Sequence, residues 1–244
     1  MNAFVMAAGN GSRLSPVTDD TPKCLLQIGG KPMLAWWLDT IFSSKCFSTV
    51  HVNLHHLADR VEIWLGEYEE ACGNEERAVK RIDERQRLLG TAGTLYWYGE
   101  PAEDLMVAYP DTISFDIFEK LPLYVEEWKY LREKQKDLIA AILTFDAPED
   151  LSSSTLATDR EGWVTKFIEK GIAGSQAWAG VLFGSQEMYD HIQPFDNDLA
   201  KDVLPRLVGK MKAIGHVDAY DIGRGVEHYE RAKQKYAIYE AGRR

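Results

Sequence analysis

Two patterns of apolar positions alternate along the chain. Short unbroken apolar runs bounded by turn residues read as buried strands: Asn2 to Ala7, Ser48 to Leu54, Leu105 to Tyr109, and "LIAAILTF" at 138–145. Val79 to Ile82 adds a shorter one. Between them the period shifts to that of a helix. Leu34, Trp37, Leu38 and Ile41 fall at i, i+3, i+4 and i+7 behind Lys31-Pro32. Ala58 to Glu70, Thr91 to Tyr98 (stopped by Gly99 and Pro101) and the charged stretch Leu121 to Gln135 also have helical composition. Such alternation predicts an α/β fold with a parallel sheet covered on both faces.

From about residue 150 the texture changes. Leu156 to Thr158 and Trp163 to Ile168 flank Asp159-Arg160-Glu161-Gly162, a hairpin turn in appearance. Along the second of these, Trp163, Thr165, Phe167 and Glu169 share one face by strand parity, and Val164, Lys166, Ile168 and Lys170 the other. Neither face is cleanly apolar. Ala177 to Phe183 and Lys212 to Val217 read as strands, 185–192 and 199–210 as helical, and Val226 to Glu240 as a final helix. No repeat or long linker interrupts the chain, which predicts one domain over 1–244, with 151–244 elaborating the first 150 residues.

Composition narrows the class. The 244 residues are 45% apolar and 27% charged, enough for a sizeable core. With 28 basic against 38 acidic side chains the formal charge is −10, which disfavours nucleic acid and anionic membrane as partners. Cys24, Cys46 and Cys72 have no metal-ligand spacing and read as free thiols in a reducing compartment. No signal peptide is visible, and no apolar stretch approaches the ~18 residues of a membrane span. The expectation is a cytoplasmic protein.

The densest chemistry follows the first strand. Ala8-Gly9-Asn10-Gly11-Ser12 leaves it at the edge where open α/β sheets bind ligands. Glycines there let backbone N–H groups approach a phosphate, Arg13 adds a planar fork, and Lys23 a point charge. A dinucleotide fingerprint would need glycine where Leu14 stands, and a P-loop would need Gly-Lys followed by Ser or Thr. A polyphosphate site remains. His55 and His56 have no third ligand spaced with them and read as solvated or core residues.

The stretch "GNGSRLSPVTDDTPKCLLQIGGKPML" resembles the N-terminal signature of the sugar-1-phosphate nucleotidyltransferases, the NDP-sugar pyrophosphorylase-like family. The resemblance continues, in the family's order, at "LLGTAGTL", "VAYPDTISFDI", "GWVTKFIEKG", "WAGVLFG", "KDVLPRL" and "DIGRGVEHYERA". It implies the Rossmann-like fold of the nucleotide-diphospho-sugar transferases: a mixed, mainly parallel sheet flanked by helices. About 1–150 would be the nucleotide-binding half and about 151–244 the sugar-phosphate half. It also implies a short form, without the C-terminal β-helix of some relatives.

The reaction so implied moves a nucleotidyl group from a nucleoside triphosphate to a sugar 1-phosphate and releases pyrophosphate. By the same resemblance Ala8, Gly9, Gly11, Ser12, Arg13, Gly90 and Thr91 would bind the nucleotide, with Arg13 and Lys23 catalytic. Lys23, Glu169, Lys170 and Gly180 would bind the sugar phosphate, and Asp111 and Asp221 would hold Mg2+. The "GTAG" turn leans to guanine with a manno-configured sugar, as in mannose or heptose 1-phosphate. An oligomer is allowed. Pro110, Gly171, Trp178 and Arg224 depart from the family's pattern. Two alternatives stay open: a cytidylyltransferase acting on phosphocholine or a phosphonate, and a silent nucleotide-binding sensor.

Overall fold

The structure is a computed structural model in which residues 1–73, 77–149 and 152–242 are described. The first apolar run, Asn2–Val5 (β1), is buried throughout and lies at the centre of a nine-stranded sheet among the described residues. Thr49–Leu54 (β2), Val79–Asp83 (β3) and Leu105–Ala108 (β4) run parallel with it, β2 and β4 flanking β1 and β3 lying outside β2. The later strands are Ala140–Asp146 (β5), Thr155–Thr158 (β6), Val164–Ile168 (β7), Gln176–Gly184 (β8) and Met211–His216 (β9). The order is 3-2-1-4-8-5-9; β8 runs antiparallel to β4 and β5, and the β6–β7 hairpin is added at the start of β8. The sheet is thus parallel across β3-β2-β1-β4 and antiparallel around β8. Strand order reverses between β1 and β4, and the crevice beyond their carboxyl ends is where such sheets bind ligands.

Both faces are covered. Met33–Ser44 (α1), Ala58–Cys72 (α2) and Phe115–Lys134 (α4) bury Trp37, Leu38, Val61, Leu65, Val125 and Trp128 against one face. Gly90–Tyr98 (α3) packs Ala92 and Leu95 on the other, with Leu199, Val203 and Leu207. A third cluster joins Leu14, Ile28, Ile222 and Tyr229, and so ties the opening loop to Val226–Ala241 (α5). Leu14 is fully buried there, which fixes its neighbour Arg13 at the crevice.

Three expectations are corrected. The helix expected from Leu121 begins at Phe115, where the Ser114 hydroxyl caps it by accepting the Ile117 N–H at 3.3 Å, and Pro122 stands inside it. Burial of Phe115, Ile117 and Leu121 outweighs the one internal bond that proline removes. The helix expected over 199–210 is instead a π-turn at Leu199–Val203 followed by a 3-10 turn at Leu204–Leu207, since Pro205 lacks the N–H a regular helix needs. Strand parity also fails in β7. A bulge between Val164 and Lys166 puts Val164 and Phe167 both in the core and leaves Thr165 and Lys166 exposed.

Candidate active site

Each strand end contributes one part of the site. After β1 the chain turns at Gly11, whose φ of +64° caps the short helical turn Ser12–Leu14 carrying Arg13. Thr18 donates its hydroxyl to Gly11 O at 2.8 Å and closes the loop. Lys23 opens a second such turn, Lys23–Leu25. Past β4 a tight turn, closed by Thr112 N–H to Tyr109 O at 3.1 Å, presents Asp111. Pro110 is at home in that turn, because no N–H is asked of it.

The two aspartates are brought together by backbone pairing. Thr112–Ile113 forms a two-residue antiparallel ribbon with Tyr220–Asp221, Asp221 standing opposite Thr112, and Ile222 N–H donates to Asp111 O at 3.0 Å. Asp221 Oδ1 accepts the Gly223 N–H at 2.8 Å. Gly223 then measures how closely the groups converge. A Cβ placed there would meet Asp111 Oδ2 at 2.8 Å, Asp221 Oδ1 at 2.9 Å, and the Lys23 ammonium as well. Lys23 Nζ is paired with Asp111 Oδ2, and Arg13 Nη1 donates to Gly223 O at 3.4 Å. Burial, helped by the charge of Asp111, pushes the Asp221 carboxyl up to about 6, with Lys23 opposing. Two convergent carboxylates with open space beside them suit Mg2+, a hard cation that takes one or two carboxylates and fills its shell with water and phosphate oxygens. The donor set fits that ion.

Two cavities meet here. The larger, of about 440 Å³, is bordered by Gly9, Gly11, Ser12, Arg13, Lys23, Asp111 and Asp221 on one side and by Glu169, Lys170 and Gly180 on the other. The smaller, of about 230 Å³, is bordered by Ala8, Gly90 and Thr91 with Met6, Asn53 and Pro110. Gly9, Lys23, Tyr109, Asp111 and Asp198 border both. All thirteen residues selected from the sequence therefore lie on these two joined cavities. The N–H of Ala8 is already taken by Asn53 Oδ1 at 3.1 Å, so the amides open to a phosphate begin at Gly9. Gly180 has φ +72° and breaks the β8 register, and a Cβ on it would meet Thr112 Oγ1 at 2.8 Å. Lys170, also left-handed at φ +50°, is largely exposed and pairs with Glu169 at 3.2 Å. Arg224 borders a neighbouring hollow with His216, His228 and Arg231, which meets the larger cavity of the site only at Asp221.

Of the remaining wall residues, the sequence marked only Trp178, as a departure from the family's pattern, and passed over Tyr109, Asp198 and Asn53. Tyr109 and Trp178 meet edge to face, with ring centroids 5.0 Å apart, and the Trp178 indole N–H donates to Val181 O at 2.8 Å. Asp198 caps the π-turn by accepting the Lys201 N–H at 3.0 Å, and burial holds its carboxyl above the usual range. Asn53 is a buried polar residue one position from the end of β2, between Val52 and Leu54, and that placement was the available signal. His55 Nδ1 lies 2.8 Å from Glu84 O, a structural contact. All three cysteines are free, and burial raises the Cys24 thiol to about 12. Among the described residues no helix is long and apolar enough to cross a membrane.

The family model described as nucleotidyl transferase matches residues 2–235. The chain belongs to that family. It is 26% identical over 228 residues to a UTP–glucose-1-phosphate uridylyltransferase of Synechocystis sp., covering 85% of this chain and 55% of that protein. An N-acetylmuramate alpha-1-phosphate uridylyltransferase of Caulobacter vibrioides is 41% identical over 91 residues, 37% of this chain and 36% of that one. The chain spans about half or less of the length of these curated relatives. In fold it matches a crystal structure of UDP-glucose pyrophosphorylase with UDP-glucose, with a TM-score of 0.76 at 16% identity over 98% of each chain. The mixed sheet flanked by helices is the fold expected of this family.

Proposed function

We propose that this protein transfers a nucleoside monophosphate from a nucleoside triphosphate to a sugar 1-phosphate, releasing pyrophosphate. The observation that carries the reading is the meeting of Lys23, Asp111 and Asp221 at Gly223, between a glycine-bearing loop with Arg13 and a second wall with Glu169 and Lys170. Bringing two polyanions together is mainly a matter of position and charge neutralisation. The base occupies the smaller cavity against Gly90 and Thr91, and the triphosphate extends past Gly9 to Ser12 toward Arg13. Arg13 holds the pyrophosphate portion and eases its departure. Lys23 and Lys170 hold the attacking sugar phosphate, while Glu169 accepts hydrogen bonds from sugar hydroxyls and Gly180 lets the ring lie against backbone. Asp111 and Asp221 would hold Mg2+, which neutralises charge on the phosphates when bound. No protein nucleophile takes part. For the substrates we favour guanine with mannose or heptose 1-phosphate, a choice resting on the Gly90-Thr91-Ala92-Gly93 turn, and for the compartment the cytoplasm.

The test is pyrophosphate release from each common triphosphate with Mg2+ and a panel of phosphorylated acceptors. Release that requires a sugar 1-phosphate is the expected result. Turnover only with CTP and phosphocholine or aminoethylphosphonate moves the protein to the cytidylyltransferases. Triphosphate binding without release for any acceptor makes it a sensor.

A further inference from the structure

A buried polar chain that takes no part in the steps above links the two loops of the nucleotide side. Asn53, 3% exposed at the carboxyl end of β2, accepts two successive backbone N–H groups on Oδ1, from Ala7 at 2.7 Å and Ala8 at 3.1 Å. Its Nδ2 donates toward Glu84 Oε1 at 3.1 Å, with Thr94 Oγ1 at 3.3 Å. Glu84 lies one residue beyond β3 and is 2% exposed. The Thr94 hydroxyl is within hydrogen-bonding reach of Glu84 Oε1 and of Gly90 O, and Glu84 Oε2 accepts the Leu89 N–H at 3.1 Å. Leu89 immediately precedes Gly90, which opens α3 and borders the smaller cavity.

A carboxyl group in the interior is costly unless its oxygens are hydrogen-bonded. Glu84 meets that condition with donors from three elements: β2, α3 and the turn before α3. Among the described residues no lysine or arginine is hydrogen-bonded to it. A general core bond would need only one such partner. Here a single side chain reaches the base-side turn directly and the phosphate loop through Asn53.

We propose that Asn53, Glu84 and Thr94 form a positioning device that sets the phosphate loop and the base-side turn in one fixed relation, so that a nucleotide's base and phosphates are bound as a unit. The inference rests on the reading of these two cavities as a nucleotide site. Asn53 and Glu84 are positioning residues. Neither needs to touch a reacting atom, and their effect falls on the triphosphate and not on the acceptor.

The test uses Glu84→Gln, Asn53→Asp, the double substitution, and Thr94→Val as a milder variant. Glu84→Gln turns one acceptor oxygen into a donor, and Asn53→Asp removes the donor facing Glu84. The double variant restores an acid–amide pair with the roles exchanged. Hydrogen exchange on the protein alone should quicken about tenfold or more at Leu89, Ala7 and Ala8 in Glu84→Gln, although Glu84 touches neither alanine, while the β8 amides keep their wild-type rates. Affinity for GTP and UTP with Mg2+ should fall about tenfold in each single variant and recover in the double one. The KM for the sugar 1-phosphate should stay within about twofold. Unchanged exchange at Ala7 and Ala8, a uniform rise that includes β8, or no recovery in the double variant overturns the device; if Glu84→Gln does not fold, Thr94→Val decides by the same readouts. A wild-type protein that binds none of the four common triphosphates defeats the functional reading, and the exchange data still decide the device.

Discussion

The two walls of the crevice are built on different principles. The wall proposed for the nucleotide borders the smaller cavity and is braced from behind. Its loop amides are held by Asn53, and its turn by Glu84, both almost fully buried. The wall proposed for the acceptor borders the larger cavity with solvent-exposed side chains: Lys170 is 56% exposed and its partner Glu169 29%. A rigid socket suits the one component every reaction of this kind shares, the triphosphate. An open, polar wall suits a component that differs among relatives named for glucose, mannose and N-acetylmuramate phosphates.

The sharpest way to break this contrast is at the seam between the walls. Asp111→Asn and Asp221→Asn should each lower turnover on the order of 10²–10³-fold, because an amide binds a hard cation poorly and the lost charge stabilisation is of that size. Initial rates at limiting Mg2+ check it, with unfolding curves to show the fold retained. A variant that keeps wild-type rates at limiting Mg2+ removes that aspartate from the metal site.

One step smaller, the walls should separate by substrate. Losing a charge-assisted contact costs roughly 1.5–3 kcal/mol, or about ten- to hundredfold. Arg13→Ala should fall near the top of that range and act on the triphosphate KM. Lys170→Ala, more exposed, should fall near the bottom and act on the sugar phosphate KM. Steady-state kinetics varying one substrate at a time distinguish them, and equal effects on both substrates would refute the division.

Trp178 probes the acceptor wall alone. Trp178→Asn removes the edge-to-face contact with Tyr109 and the tie to Val181, and should change relative kcat/KM between two sugar 1-phosphates by about tenfold, the scale of one pocket contact. The triphosphate KM should hold within about twofold. Competition assays with paired acceptors measure the shift.

A last contrast lies in stability against pH, and leaves turnover aside, with opposite signs for two buried groups. Burial lowers His51 to about 4, Glu100 opposing, so the unfolded chain binds more protons between pH 4 and 6.5 and stability is lost as pH falls through that window. Asp221 is raised to about 6, so the folded chain binds more protons between about pH 4 and 6 and stability is lost as pH rises through it. Each amounts to at most about 3 kcal/mol. Unfolding of His51→Gln and Asp221→Asn in metal-free buffer, subtracted from wild type, should give slopes of opposite sign across pH 4–6.

Much of this was legible in the sequence because it lies in continuous stretches. The glycine loop with Arg13 and the aspartate after β4 follow strands that apolar runs mark, and Lys23 follows in the same continuous stretch as the loop. What escaped is made by packing. Nothing local says that Asn53 and Glu84, 31 positions apart, share a hydrogen bond. The β7 bulge changes which residues face the core without changing any residue type, so alternation could not assign Lys166 and Lys170. The helix expected from Leu121 was marked by its charged composition, while the buried face of α4 extends back through Ile117 to Phe115.

Gly223 has an ordinary backbone conformation, and an alanine would be accepted there were it not for the three charged groups crowded onto the space its methyl would fill. The protein therefore stands one carbon atom away from a different occupation. On the function proposed above, the socket that Asn53 and Glu84 brace would still bind a nucleotide with that methyl in place, but Lys23, Asp111 and Asp221 could not keep the positions they hold here. If the proposed function holds, a transferase and a silent nucleotide binder would lie a single codon apart.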